Sequence, residues 1–218
     1  PFGYESETVC LVNTFFKRSM PSEKPCFRFQ ATFENRLKSM DYNQTVLSHL
    51  QNFWKHHEIK GFTWALGRIV EELPDFQVFQ VIPNHADEPW VYVSSGIGPF
   101  LGQEFFIVSP FETPEHIETL AMLASASMHY PDQFQLGKTV NIGRPWVDQS
   151  SFRHFLISLP YPYGQELEYM DNVRFFWLLP ITHQERLFLD THSVEELETK
   201  FDEAGIDYLD INRASTVW

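Results

Sequence analysis

Hydrophobic and polar positions along the 218-residue chain change period several times, and each change marks an element. Residues 27–34 alternate strictly, with Phe27, Phe29, Ala31 and Phe33 set against Arg28, Gln30, Thr32 and Glu34. That period of two predicts a strand with one buried face. Residues 8–16 are its candidate partner in a β-hairpin, connected through the proline-bearing stretch 21–25. From Asp41 the period lengthens: Val46, Leu47, Leu50, Phe53, Trp54 and His57 fall on one helical stripe. Asp41 or Asn43 would cap that helix, and Gly61 would lie just beyond its end.

Short strands are predicted next at 64–71 and 76–82, joined by the turn Leu73-Pro74-Asp75, then at 90–94 and 104–109. Ser95-Gly96-Ile97-Gly98-Pro99 breaks the third of these. Its two glycines look like half a phosphate loop, but no lysine is near, so the segment reads as a tight turn. A second helix starts with Thr113 as cap and Pro114 at its first position. Ile117, Leu120, Ala121, Ala124 and Met128 recur at core spacing before Pro131. Strands at 138–142, 155–159 and 173–179 follow, the last apolar on both faces. Two prolines make residues 160–164 an irregular loop. Thr182-His183-Gln184-Glu185 and Ser193-Val194-Glu195-Glu196 are capping boxes that start two short helices. Val194, Leu197, Phe201 and Ala204 face the core of the second, Gly205 stops it, and an acidic strand is expected to end at Asn212-Arg213. Strand groups interrupted by helices, without strict alternation, predict an α+β domain: a mixed, largely antiparallel β-sheet packed by helices.

Composition narrows the function classes. Apolar residues are 43% and aromatics 16%, with 21 phenylalanines, so a packed core forms and disorder is disfavoured. Cys10 and Cys26 form no paired motif; they read as reduced thiols, with a single disulfide as the alternative. No apolar run reaches the ~20 residues of a membrane span. Glu5 and Glu7 replace the basic start of a signal region, and the expectation is a cytoplasmic protein. Sixteen basic against 29 acidic residues give a formal charge of −13, which repels phosphate backbones and speeds encounter with a basic protein. No nucleic-acid or membrane partner is expected.

No catalytic signature is present: nucleophile elbow, zinc-protease helix, Walker loop and dinucleotide fingerprint are all missing. No cofactor and no metal are expected. His56 and His57 lack a third ligand at metal spacing. His85 with Asp87 and Glu88 sits in a loop where polar residues are common. Glu166 and Glu168, if placed at i and i+2 on a strand, would project the same way about 7 Å apart, a spacing that alone does not make a glycosidase. Binding is the stronger expectation. Trp146, Tyr161 and Tyr163 fall in loops, the prolines flanking Tyr161 stiffen its loop, and Glu166 and Glu168 add acidity beside them.

Several of these segments resemble the suppressor of fused domain family. The likeness rests on Phe175-Phe176-Trp177-Leu178-Leu179-Pro180-Ile181-Thr182 with Glu185, on the closing Asn212-Arg213-Ala214-Ser215, and on Trp90-Val91-Tyr92-Val93-Ser94-Ser95-Gly96. It covers residues 41–216 and resembles the bacterial single-domain members, leaving residues 1–40 as an N-terminal extension to a domain at 41–218. The resemblance implies a suppressor-of-fused-like α+β fold without enzymatic role. Bacterial members are thought to serve as immunity proteins that neutralise a toxin, and a basic toxin would suit the acidic charge. The alternatives are a regulatory scaffold binding an endogenous peptide or protein along a sheet edge, and a hydrolase with dispersed catalytic residues.

Overall fold

A computed structural model describes residues 33–218. Eight strands in one sheet and seven α-helices make up the described residues. Helix α1 (Phe33–Phe53) leads into β1 (Ile59–Thr63), a short α2 (Arg68–Glu72), β2 (Gln77–Val81) and β3 (Trp90–Ser95). A single helical turn, α3 (Gly98–Leu101), precedes β4 (Gln103–Ser109), and α4 (Glu115–His129) crosses back over the sheet. Strands β5 (Thr139–Asn141) and β6 (His154–Ser158) follow. Then come α5 (Gln165–Glu168), β7 (Tyr169–Met170), β8 (Val173–Ile181), α6 (His183–Phe188) and α7 (Val194–Ala204).

The sheet order is β1-β2-β3-β4-β8-β6-β5, with β7 pairing against β8. All pairs are antiparallel except β4–β8, which is parallel. Alternation along each central strand feeds two cores. Phe105 and Ile107 of β4 face one side and Phe106 and Val108 the other; in β8, Phe176 and Leu178 oppose Phe175, Trp177 and Leu179. One core is closed by α4 (Leu120, Leu123, Ala124), the other by α1 (Val46, Leu50) and α7 (Leu197, Phe201). Strands covered on both faces carry no polar alternation, which is why β4 and β8 read as apolar runs.

Several expectations are corrected here. The strand at 27–34 lies outside the described residues up to 32, while Phe33 and Glu34 belong to α1. That helix runs through residue 40, where the sequence placed the end of the extension, and Asp41 and Asn43 are inside it rather than caps. Asn43 is buried, donating to the Asp75 carbonyl at 2.6 Å and accepting from Ser95 Oγ at 2.6 Å. Gly61 stops no helix; it sits in β1, opposite Phe79. The strand read at 64–71 is displaced to 59–63, because Gly67 (φ 103°) turns the chain and Arg68 and Glu72, one helical turn apart, pair at 2.5 Å. Thr113 does not cap α4: its hydroxyl donates back to the Phe111 carbonyl. In α7, Ala204 is exposed rather than core-facing. Residues 207–212 form no strand. Asp207 and Asp210 each accept a backbone N–H two residues on, and such side-chain turns compete with a ladder.

Candidate protein-binding surface

The loop after β6 carries the most exposed of the predicted anchors. Tyr163 N and Gly164 N both donate to the Pro160 carbonyl at 2.8 Å, closing the loop on itself. Tyr161 is left 58% exposed, its hydroxyl donating to Glu198 Oε2 of α7 at 3.0 Å. Burial, and then Glu198, push the Tyr161 pKa up to about 12, so it stays a neutral donor. Glu198 also accepts from Ser158 Oγ. Its own pKa is raised by burial, which outweighs these two hydrogen bonds, with Glu195 and Asp202 adding repulsion. Glu195 and Asp202 are exposed on the same helix. The result is a fixed phenol beside a one-sign acidic face.

The other predicted site residues do not join it. Trp146 is fully buried, stacked on Phe152 at 6.5 Å and tied by its backbone N–H to the Phe152 carbonyl at 2.7 Å. Arg144 locks that turn by donating to the carbonyls of Pro145 and Trp146. A tryptophan in a turn was read as a surface anchor, but the turn folds inward and the indole is core. Tyr163 is half-buried among Phe53, Trp54 and Phe106, with centroids 5.7–5.9 Å away. Burial pushes its pKa up. Glu166 and Glu168 lie on α5, not a strand, and part company: Glu166 is exposed, whereas Glu168 is 6% exposed and paired with Arg174.

The glycine turn after β3 does bind an anion, and the anion is the protein's own. Gly96, Ile97 and Gly98 point their N–H groups at Glu104 Oε1 at 2.8–2.9 Å, joined by the Tyr42 hydroxyl at 2.9 Å. Ser94 Oγ donates to Oε2 at 2.5 Å. Burial presses the Glu104 pKa upward, and these donors oppose it. The nest is filled, so it offers nothing to a phosphate. Sequence inspection missed Glu104, since a glutamate in an apolar strand gives no hint of a partner loop.

One cluster mimics hydrolase chemistry. Ser125 donates to Glu72 Oε2, while His129 Nε2 and Arg68 Nε meet Oε1 at 2.7 and 2.5 Å. The histidine therefore bonds the carboxylate, not the serine, and nothing there could take a proton from the serine hydroxyl as a nucleophile requires. His57 pairs with Glu88 at 3.1 Å, and Asn84 N donates to the same carboxylate, which organises a loop. Among the described residues no group of three ligating side chains is placed to hold a metal ion. No helix among them is long and apolar enough to cross a membrane.

Comparison with known proteins agrees with this architecture. The family model described as suppressor of fused protein matches residues 74–214, well over half of the chain. A crystal structure assigned as a suppressor of fused homologue from Neisseria gonorrhoeae FA 1090 is 94% identical, covering 82% of this chain and 98% of that one, with a TM-score of 0.81. This is a suppressor-of-fused-type α+β domain, and the chain belongs to the suppressor of fused family. Two distant structures share the fold. A Sufu–Fu complex structure is 13% identical at TM-score 0.59, covering 79% of this chain and 91% of its own. Drosophila Suppressor of Fused is 12% identical at TM-score 0.60, covering 80% of this chain and 51% of its own. No curated protein sequence matches the chain.

Proposed function

We propose that this chain is a non-enzymatic protein-binding domain acting in the cytoplasm, and that it neutralises a basic protein toxin by occupying it. The observation that carries this reading is Tyr161, 58% exposed yet held by Glu198 beside Glu195 and Asp202. A pre-positioned phenol loses little rotamer freedom on binding, and Tyr is a usual centre of interface energy. The formal charge of −13 favours a cationic partner and works against nucleic acid. Family membership supports binding rather than chemistry, and a relative sharing the fold is known as a Sufu–Fu complex.

The test is co-expression with each toxin reading frame encoded beside the gene. Wild-type protein should restore growth, and Tyr161→Ala should lose roughly thirtyfold in affinity or more, the loss typical of an interface centre. Rescue that is indifferent to Tyr161→Ala, or a gene without any toxin neighbour, would remove the toxin reading.

A further inference from the structure

Strand β1 ends the sheet, and its outer side is unpaired among the described residues. Which backbone groups face outward follows from the register. Ile59 lies opposite Val81 and Gly61 opposite Phe79, and Ile82 N donates to the Glu58 carbonyl at 2.9 Å. In an antiparallel ladder the residues that exchange bonds recur every second position. Glu58, Lys60 and Phe62 therefore bond to β2. Ile59, Gly61 and Thr63 turn their N–H and C=O groups away from the sheet.

Protected edges carry a bulge, a proline, a covering helix or a run of charge. The opposite edge, β5, is only three residues long, and Asn141 Oδ1 closes it by accepting Gly143 N at 2.8 Å. Strand β1 has five residues and one charged side chain, Lys60, already drawn to Glu58 at 3.6 Å. At its centre Gly61 is exposed and has no side chain to hold a neighbouring backbone off. A Cβ there would touch only the Phe79 ring, at 3.4 Å, and the Gln77 side chain.

We infer that β1 is a strand-addition site, taking an extended, basic segment of a partner protein with a large apolar side chain opposite Gly61. Main-chain pairing with Ile59, Gly61 and Thr63 supplies affinity, and alternate side chains supply choice. An aromatic residue across from a strand glycine covers the space that the glycine leaves. Charge selects the occupant. Glu58 stands at one end of the edge, and at the other the exposed Glu118 accepts from the indole of Trp64, the residue after β1. A second copy of this chain would bring another −13 to the same edge, so self-pairing is opposed.

The inference rests on the chain being a protein-binding domain, but on a different surface from Tyr161. The probe is a synthetic peptide of about nine residues, long enough for one strand, alternating lysine with valine around a central phenylalanine. Added to the full chain, it should slow amide exchange of Ile59, Gly61 and Thr63 by about tenfold or more. The amides of Lys60 and Phe62, already bonded to β2, should not change. Thr63→Pro removes an outward N–H without touching the β1–β2 ladder, and should weaken the peptide by about tenfold at unchanged melting temperature. Tyr161→Ala should leave peptide binding intact, which separates failure here from failure of the toxin reading. No peptide binding, equal binding of the peptide with glutamate for lysine, or binding without protection at the three amides would each overturn the inference. Protection that appears with protein concentration alone would assign the edge to a second copy and overturn it too. Should Thr63→Pro not fold, the exchange pattern of the wild type decides.

Discussion

Single residues set the turn that joins β3 to β4. A Cβ on Gly98 would lie 1.9 Å from the Tyr42 hydroxyl oxygen, and Tyr42 cannot swing aside without giving up Glu104. Gly98→Ala should therefore cost roughly 1–3 kcal/mol in chemical denaturation, the usual penalty of overpacking. Combined with Tyr42→Ala it should cost less than the two single changes added together. His116 gives a second residue-scale expectation. It is fully buried, with Arg144, Thr119 and the Tyr92 ring around it, and Nε2 has no hydrogen-bond partner. Burial, and then the Arg144 charge, lower its pKa from 6.5 to about 3. Only the unfolded chain takes up that proton readily. The contribution is complete above pH 6.5 and is lost as pH falls, by at most about 1.4 kcal/mol per pH unit. Denaturation curves at pH 7 and 5.5 should show this decline, and His116→Phe should flatten it. Neither device was legible beforehand, because Gly98 and His116 gain meaning from residues 56 and 28 positions away. Trp146 misled for the same reason: its class predicts an anchor, and only its contacts make it core.

At the scale of elements, the signals that held were local ones. Both capping boxes form with all four hydrogen bonds, at Thr182–Glu185 and Ser193–Glu196, because the partners lie within four residues. The apolar runs of β4 and β8 and the helical stripe of α4 were equally plain. What failed needed tertiary knowledge: the start of α1, the shift of β1 to 59–63, and the aspartate turns at 207–212. The two capping boxes, alike in sequence, differ in consequence. Glu196 is exposed, whereas Glu185 is fully buried and takes two N–H groups of Arg213, whose guanidinium lies between Phe152 and Phe201. Ser193→Ala should cost about 1 kcal/mol. Glu185→Gln, which strands a buried Arg213, should cost about 3–5 kcal/mol. The pH dependence has a matching sign. The Arg213 bonds and charge hold the Glu185 carboxyl below its usual range in spite of burial. Its stabilisation is present above the unfolded value of 4.5 and disappears as pH drops through the folded one. Thermal melts from pH 5 downward should show a fall that Arg213→Met reduces.

For the whole molecule, charge and contact should act on different rate constants. The acidic side chains Glu195 and Asp202 touch no core and act at a distance, so they bear on encounter rather than on the bound state. Replacing both by Gln and Asn should lower the association rate with a cationic partner several-fold and leave dissociation nearly unchanged. Raising salt from about 0.05 to about 0.5 M shortens the screening length severalfold and should reproduce that loss in the wild type while scarcely moving the variant. Tyr161→Ala should do the reverse, speeding dissociation while association holds, because the phenol contributes only once the surfaces meet. Stopped-flow binding at two salt concentrations measures both. A partner whose association ignores salt and the two acidic residues would show that −13 serves solubility alone. The Tyr161 contact would then have to account for recognition by shape.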